Sequence, residues 1–140
     1  MNATSSTVAA AGRVLIALIY LYSGVGKILA AGATQAYIAS AGLPAPVLAY
    51  LIAIVVEVAG GMLLVLGFRT RIVAGVMAAY TIATALGFHH DFSNQDQLMH
   101  FMKNISMAGG LLQVVAFGAG ALSLDTRRGS NPGASAVKAA

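Results

Sequence analysis

The chain has 140 residues, of which 59% are hydrophobic and only 9% carry a charge, whereas about 25% are charged in an ordinary soluble domain. A chain of this length cannot bury so much apolar surface in a core of its own, so we expect a lipid bilayer to surround it. The net charge of +4 comes from single or paired basic residues, which argues against nucleic acid as a partner. The lack of cysteine excludes disulfides, iron–sulfur clusters and thiolate metal sites. Any redox role would therefore need a bound cofactor.

Four apolar segments are long enough to cross the roughly 30 Å of hydrocarbon in a bilayer as helices. They cover, approximately, residues 13–30, 47–68, 72–88 and 98–122. The sequence therefore predicts an all-α fold, an integral membrane bundle of four antiparallel transmembrane helices within residues 1–125. Pro44 and Pro46 suit the entry to the second helix, because proline is tolerated in a first turn. The first segment also resembles the core of a cleaved signal peptide, but Lys27 stands where such a peptide is still apolar.

The segments between these helices differ in length and polarity. Residues 31–46 form an Ala/Gly-rich connection, residues 69–71 a very short link, and residues 89–97 the most polar loop of the chain. Residues 126–140 are predicted to be a disordered cytoplasmic tail. Since Lys and Arg are retained on the cytoplasmic side of a membrane, the basic residues outside the apolar segments place both termini in the cytoplasm. They all fall on one side of the topology: Arg13, Arg69, Arg71, Arg127, Arg128 and Lys138.

Three charged residues lie inside the predicted helices, where an unpaired charge is costly and therefore points to function. Glu57 lies ten residues into the second helix, about 15 Å along it and near the bilayer midplane. Lys27 lies in the outer half of the first helix. Lys103 lies some five residues inside the fourth, with His100 and Asn104 within one turn of it.

Helical spacing places these residues on faces that can meet inside the bundle. Glu57 belongs to a stripe of small residues four positions apart, of the kind that marks close helix contacts. The third helix carries a similar stripe, which suits an internal contact or a homo-oligomer equally well: Gly75, Ala79, Ala83 and Gly87. The pattern predicts one inward cluster, open toward the outer loops: Lys27, Glu57, His100, Lys103 and Asn104, near His89 or His90.

Simpler interpretations apply to the same residues. A buried Glu–Lys pair can serve only to fix helix register, and a lysine near a helix end can extend its ammonium to the interface. His89 and His90 are adjacent at a loop end, whereas a metal or haem needs ligands that converge from two helices, so no metal site is predicted. The methionines are interpreted as packing residues.

A series of short motifs follows in order along the chain: Ser23-Gly24-Val25-Gly26-Lys27, Glu57-Val58-Ala59-Gly60-Gly61, Gly67-Phe68-Arg69-Thr70-Arg71, Phe88-His89-His90-Asp91-Phe92 and Gln97-Leu98-Met99-His100-Phe101-Met102-Lys103-Asn104-Ile105. With these motifs the sequence resembles the DoxX family of small bacterial four-helix membrane proteins over nearly its whole length. The resemblance implies a multi-pass protein of the inner membrane and a link to quinones and redox systems. The motif residues that it carries over are Lys27, Glu57, His89, His100, Lys103 and Asn104.

Three functions stay open at this point. The first is an accessory protein or subunit of a quinone-linked redox system, in which those six residues bind a lipophilic, quinone-like molecule or exchange its proton. The second is a non-enzymatic scaffold for other membrane or redox subunits, whose buried ion pair specifies the bundle. The third is transport of protons or a small solute, which four short helices would support only as an oligomer. The sequence does not decide whether the chain is itself an enzyme.

Overall fold

The computed structural model describes residues 3–129 as helices joined by short turns, with no strand among those residues. The helices are α1 (Ala3–Leu29), α2 (Ala31–Ser40), α3 (Pro46–Leu66), α4 (Thr70–Phe88), α5 (Gln95–Phe117) and α6 (Leu124–Gly129). Three of them, α1, α3 and α4, are long and apolar enough to cross a membrane. The predicted all-helical membrane fold is therefore confirmed. Helix α5 has 23 residues and carries polar side chains along its first half.

The helix boundaries differ from the predicted ones in three places. Helix α1 begins at Ala3, ten residues before Arg13. The connection at residues 31–46 contains a helix of its own, α2. Helix α5 ends at Phe117, since Gly118 takes a positive φ of 81° that turns the chain. Helix α6 occupies the start of the segment predicted to be disordered, and residues 130–140 lie outside the described residues.

Helix α3 contains one wider π-helical turn, Val55–Ala59, with Glu57 at its centre. A π turn inserts an extra residue into the α-helical ladder and is found frequently at functional sites. The spacing of small residues around Glu57 does not reveal this turn. Ala53, Glu57 and Gly61 are nevertheless all buried, as the predicted stripe requires.

Large apolar side chains cover the outside of the bundle, and small residues fill most of its interior. Leu15, Val55 and Phe117 are each more than 60% exposed, which suits a surface that contacts lipid. The buried core between the long helices is compact and includes one of the methionines interpreted as packing residues: Ala17, Tyr20, Leu64, Ala74, Met77, Ala78 and Leu111.

Arg13, which the sequence places among the orienting charges, is buried and only 2% exposed. Its guanidinium donates hydrogen bonds to the backbone carbonyls of Leu64 (3.1 Å) and Leu122 (2.6 Å). Gly67 leaves room for it, because a Cβ at that position would lie 2.2 Å from Nη1. Arg13 thus ties α1 to the end of α3 and to the segment before α6.

Asp125, the acid at the start of α6, caps helix α4. Its carboxylate accepts hydrogen bonds from the backbone N–H groups of Arg69 (2.7 Å) and Thr70 (2.9 Å) and from the Thr70 hydroxyl (2.7 Å). Burial on its own would raise the pKa of Asp125, but these hydrogen bonds and the nearby Arg13 guanidinium outweigh it and lower the pKa below its ordinary value. The short α6 is therefore part of the folded bundle.

Candidate functional site

Glu57 is the centre of the candidate site, and both of its carboxylate oxygens are hydrogen-bonded. Its side chain is 6% exposed. Lys27 on α1 donates to Oε2 at 2.9 Å, which forms a salt bridge, and the hydroxyl of Tyr80 on α4 donates to Oε1 at 2.7 Å. Helices α1 and α4 thus each contribute one polar group to the carboxylate that α3 carries inside the bundle, which meets the requirement that a buried charge be paired.

Lys27 points into the bundle and does not extend to the interface. Besides its bond to Glu57, its ammonium donates a hydrogen bond to the Ser23 hydroxyl at 2.6 Å. Its side chain is 27% exposed, so one side of the ammonium stays accessible. The predicted pairing of Lys27 with Glu57 is present in the structure.

A cavity of about 430 Å³ opens beside this hydrogen-bonded group, in the half of the bundle that contains α2. Ile38 and Leu43 form part of an apolar wall. Tyr37 stacks on Phe88 with ring centroids 5.4 Å apart and an angle of 15° between the planes, so α2 is held over the cavity by an aromatic contact. The polar and titratable side chains along its lining come from five helices and the loop after α4: Ser23, Lys27, Thr34, Tyr37, Glu57, Tyr80, Thr84, His89 and Asn104.

A second, smaller cavity of about 180 Å³ lies between α1, α4 and α5. It shares part of its lining with the first cavity: Ser23, Glu57, Tyr80, Thr84 and Asn104. His100 and Lys103 line the smaller cavity but not the larger one. Glu57 therefore stands between two spaces, one under α2 and one beside α5.

The structure divides the predicted cluster between these two cavities. Lys27 and His89 line the larger one, His100 and Lys103 the smaller one, and Glu57 contributes to both. Lys103 is exposed, and within residues 3–129 it forms neither a hydrogen bond nor a salt bridge. Lys103 therefore shares the smaller cavity with Glu57, His100 and Asn104 but donates no hydrogen bond to the Glu57 carboxylate.

His89 and His100 stack on each other, with ring centroids 5.0 Å apart and 19° between the planes. The Nδ1 of His89 is 3.0 Å from the side-chain oxygen of Gln97, so it donates to that oxygen when it carries the proton. His90 is exposed and lines neither cavity. Within residues 3–129 no three His, Cys, Asp or Glu side chains are grouped closely enough to hold a metal ion.

Sequence reasoning missed Tyr80, the second partner of Glu57. Tyrosine is enriched at membrane interfaces, whereas Tyr80 lies in the middle of an apolar helix, and this unusual position was the available signal. The hydroxyls of Tyr20 and Thr81 also hydrogen-bond to each other inside the bundle, close to the smaller cavity. Tyrosine and threonine hydroxyls in the apolar helices α1 and α4 thus supply many of the polar groups inside the bundle.

Comparison with known proteins identifies relatives over most of the chain. The sequence model of the DoxX family matches residues 8–90, more than half of the chain, including Lys27, Glu57 and His89. Inner membrane protein YphA of Escherichia coli (strain K12) is 40% identical over 120 residues, which cover 82% of this chain and 86% of that protein. Inner membrane protein YqjF of the same organism is 35% identical over 113 residues, covering 81% and 85%. No solved structure matches the chain significantly.

Proposed function

This chain belongs to the DoxX family, and we propose that it serves a quinone-linked redox system of the inner membrane as an accessory protein or subunit. It is an integral protein of the inner membrane, as are its relatives, and three of its helices can span the bilayer. In this proposal the cavity beside Glu57 binds a small lipophilic molecule such as a quinone.

The proposed topology has four transmembrane helices, antiparallel, with both termini in the cytoplasm. Two observations support it. Residues in contact come in opposite order along neighbouring helices, as in the pairs Gly24–Val58 and Leu21–Gly61 between α1 and α3. The link between α3 and α4 and the first turn of α4 together carry two arginines, Arg69 and Arg71, which the positive-inside rule assigns to the cytoplasm. The cavity beside Glu57 then opens in the outer half of the membrane.

The observation that carries the proposed function is the Lys27–Glu57–Tyr80 group at the edge of the larger cavity. A volume of about 430 Å³ lies within the range of roughly 300–1,000 Å³ that is typical of small-molecule sites. Such sites combine apolar walls with a few polar groups that orient the ligand. The wall around Ile38 and Leu43 supplies the first part of this combination, and the hydrogen-bonded group supplies the second.

A quinone fits the donors that this chain presents. The Lys27 ammonium lines the cavity and keeps one N–H beyond its bonds to Ser23 and Glu57, so it can donate to a carbonyl oxygen. A bound quinone would supply the two-electron, two-proton chemistry. The residues of the chain would hold its carbonyl through the Lys27 ammonium and keep water away with apolar walls, and the Glu57 carboxylate would exchange a proton with it.

Lipid extraction and quinone titration test this proposal. Protein purified from its native membrane is expected to carry a quinone, and protein stripped of lipid is expected to bind added ubiquinone or menaquinone. Ala53→Leu should abolish binding, because Ala53 is buried and lines the cavity. Val55→Leu is the matched control, since Val55 is 63% exposed on the outer surface of the same helix. A wild-type protein that neither retains nor binds a quinone contradicts the proposal.

A structural role for the ion pair is the second candidate, and the complete hydrogen bonding of Glu57 favours it. A carboxylate with both oxygens satisfied needs no ligand to be stable in the bundle. Glu57→Gln separates the two candidates. A stable variant that has lost quinone binding supports the site, whereas loss of expression and thermal stability in step with any function supports the scaffold.

A further inference from the structure

A different cavity, open and of about 640 Å³, lies at the opposite end of the bundle from the Glu57 site. It is bounded by the beginning of α4, the end of α5 and the loop that leads into α6: Arg69, Thr70, Arg71, Ile72, Phe117, Gly118, Ala119, Gly120, Ala121, Asp125 and Thr126. The proposed quinone site does not use any of these residues. The cavity therefore needs an explanation of its own.

Two arginines line this cavity without a partner to neutralise them. Arg69 and Arg71 are both exposed, and within residues 3–129 neither side chain forms a hydrogen bond or a salt bridge. Asp125 is the acid in the lining, but its oxygens already accept bonds from the Arg69 and Thr70 N–H groups and the Thr70 hydroxyl. The cavity thus presents net positive charge to an incoming group.

Gly118 leaves room for the side chain of Arg71 at the rim of the cavity. A Cβ at Gly118 would lie 3.2 Å from Nε and 3.5 Å from Nη2 of Arg71, so a side chain at this position would crowd the guanidinium. The positive φ of 81° at Gly118 directs the chain into the loop that completes the cavity. Gly118 therefore shapes both the loop of the cavity and the space that the Arg71 guanidinium occupies.

Apolar surface continues from the arginines along the sides of the bundle. Ile72 is 63% exposed and Phe117 is 77% exposed, and both line the cavity. Leu122, in the adjoining loop, is 55% exposed. Because Arg69 immediately precedes the membrane-spanning helix α4, the arginines lie at the level where lipid headgroups meet hydrocarbon. The surface is suited to a molecule with an anionic head and an apolar tail.

We propose that this cavity is a binding site for an anionic phospholipid, with the headgroup phosphate between Arg69 and Arg71 and an acyl chain along Ile72 and Phe117. Guanidinium groups bind phosphate through paired hydrogen bonds. Basic pockets between helices at the membrane surface are a known way of selecting anionic lipids. The site is independent of any ligand beside Glu57.

Native mass spectrometry of the detergent-solubilised full chain, titrated with short-chain phosphatidylglycerol or phosphatidylcholine, tests the proposal. We expect phosphatidylglycerol to bind in preference. Arg69→Gln and Arg71→Gln should each weaken its binding roughly five- to tenfold, since one basic residue near the membrane surface contributes about that factor. Arg128→Gln is the matched control, because this substitution removes the same charge at the same end of the bundle. The Arg128 guanidinium carbon lies over the Phe68 ring, 4.7 Å from its centroid, and Arg128 does not line the cavity.

The outcomes separate the lipid site from its alternatives. Preference for phosphatidylglycerol that is lost in the two cavity variants and kept in Arg128→Gln supports the site. Equal binding of both lipids overturns it, and so does an equal loss in all three variants, which would indicate diffuse charge attraction. The last arm of the experiment adds glycerol phosphate or inorganic phosphate to the protein with bound phosphatidylglycerol. Displacement of the lipid by either compound at an equal concentration would show that a free phosphate, and not a phospholipid, is the occupant.

Discussion

Gly24 sets the distance between α1 and α3 at the level of the Glu57 site. A Cβ at this position would lie 2.6 Å from the Val58 Cγ2 and 3.1 Å from the Glu57 Cβ. A contact of 2.6 Å cannot persist, so any side chain at Gly24 would push the helices apart or force a change of rotamer. The length of the Lys27–Glu57 salt bridge depends on that separation, because both charged groups are carried by these two helices.

Gly24→Ala is therefore expected to destabilise the protein by about 1–3 kcal/mol, the usual cost of overpacking. Gly26→Ala is the matched control. Gly26 lies in the same helix, has nothing within 4 Å of its ideal Cβ and should gain about 0.5–1 kcal/mol from the better helix propensity of alanine. Thermal unfolding in detergent measures both. The same change in stability for the two variants would show that helix propensity, and not helix contact, governs position 24.

Tyr80 is the residue that completes the hydrogen bonding of Glu57. Tyr80→Phe removes the hydroxyl and leaves Oε1 without its 2.7 Å donor. An unsatisfied buried acceptor costs about 1–3 kcal/mol, so we expect a lower melting temperature and weaker ligand binding beside Glu57. Tyr22→Phe removes a hydroxyl from a side chain that is 84% exposed and should leave both quantities unchanged. Equal stability of the two variants would mean that water replaces Tyr80 at Glu57.

At the level of helices, the spacing of residues and their depth in the membrane predict which polar residues are buried better than they predict which side chains those residues contact. Glu57 and Lys27 are recognised because a charge deep in an apolar helix must find a partner nearby. Tyr80 escapes notice because its ring looks like packing, and its hydroxyl matters only once α4 lies against α3. The π turn at Glu57 escapes notice too, since buried small residues precede and follow it with regular spacing.

The same limit explains what happens to the basic residues and the connections. Arg13 is counted from the sequence among the orienting charges near the helix ends, but α1 continues past it to Ala3, and its guanidinium turns inward to Leu64 and Leu122. Helix α2 has few apolar residues with a helical period, so its alanine-rich sequence is compatible with either a helix or a loop. Only contacts with other elements, such as Tyr37 with Phe88, give it a fixed place.

The capping of α4 by Asp125 makes stability depend on pH. The pKa of Asp125 is lowered in the folded protein, so its contribution to stability is complete above the unfolded value of about 3.9 and is lost as the pH falls through the folded pKa. Asp125→Asn should lower stability near neutral pH by about 1 kcal/mol, the typical value of a helix cap. The difference from wild type should shrink below about pH 4. Denaturant unfolding at a series of pH values measures it; a difference that stays constant down to pH 3 would exclude this linkage.

At the scale of the whole molecule, the two ends of the bundle differ in charge and in the kind of cavity they contain. The end with the α3–α4 link carries Arg69 and Arg71 beside an open cavity. The other end carries Asp91 and Asp96 in and after the loop that follows α4, together with the partly enclosed cavity under α2. An asymmetric distribution of this kind orients a membrane protein, and it keeps the proposed phospholipid site apart from the proposed quinone site.

Single cysteines at the two ends test this orientation directly, because the natural chain has no cysteine and needs no background removed. His90→Cys lies in the exposed loop between α4 and α5, and Ala121→Cys lies in the exposed loop between α5 and α6. In intact cells with a permeabilised outer membrane, a maleimide that cannot cross the inner membrane should label His90→Cys and spare Ala121→Cys. A permeant maleimide should label both, which establishes that each thiol is reactive. Labelling of Ala121→Cys alone by the impermeant reagent would reverse the proposed topology, and labelling of both would mean that these two loops lie on the same side and that α5 does not cross the bilayer.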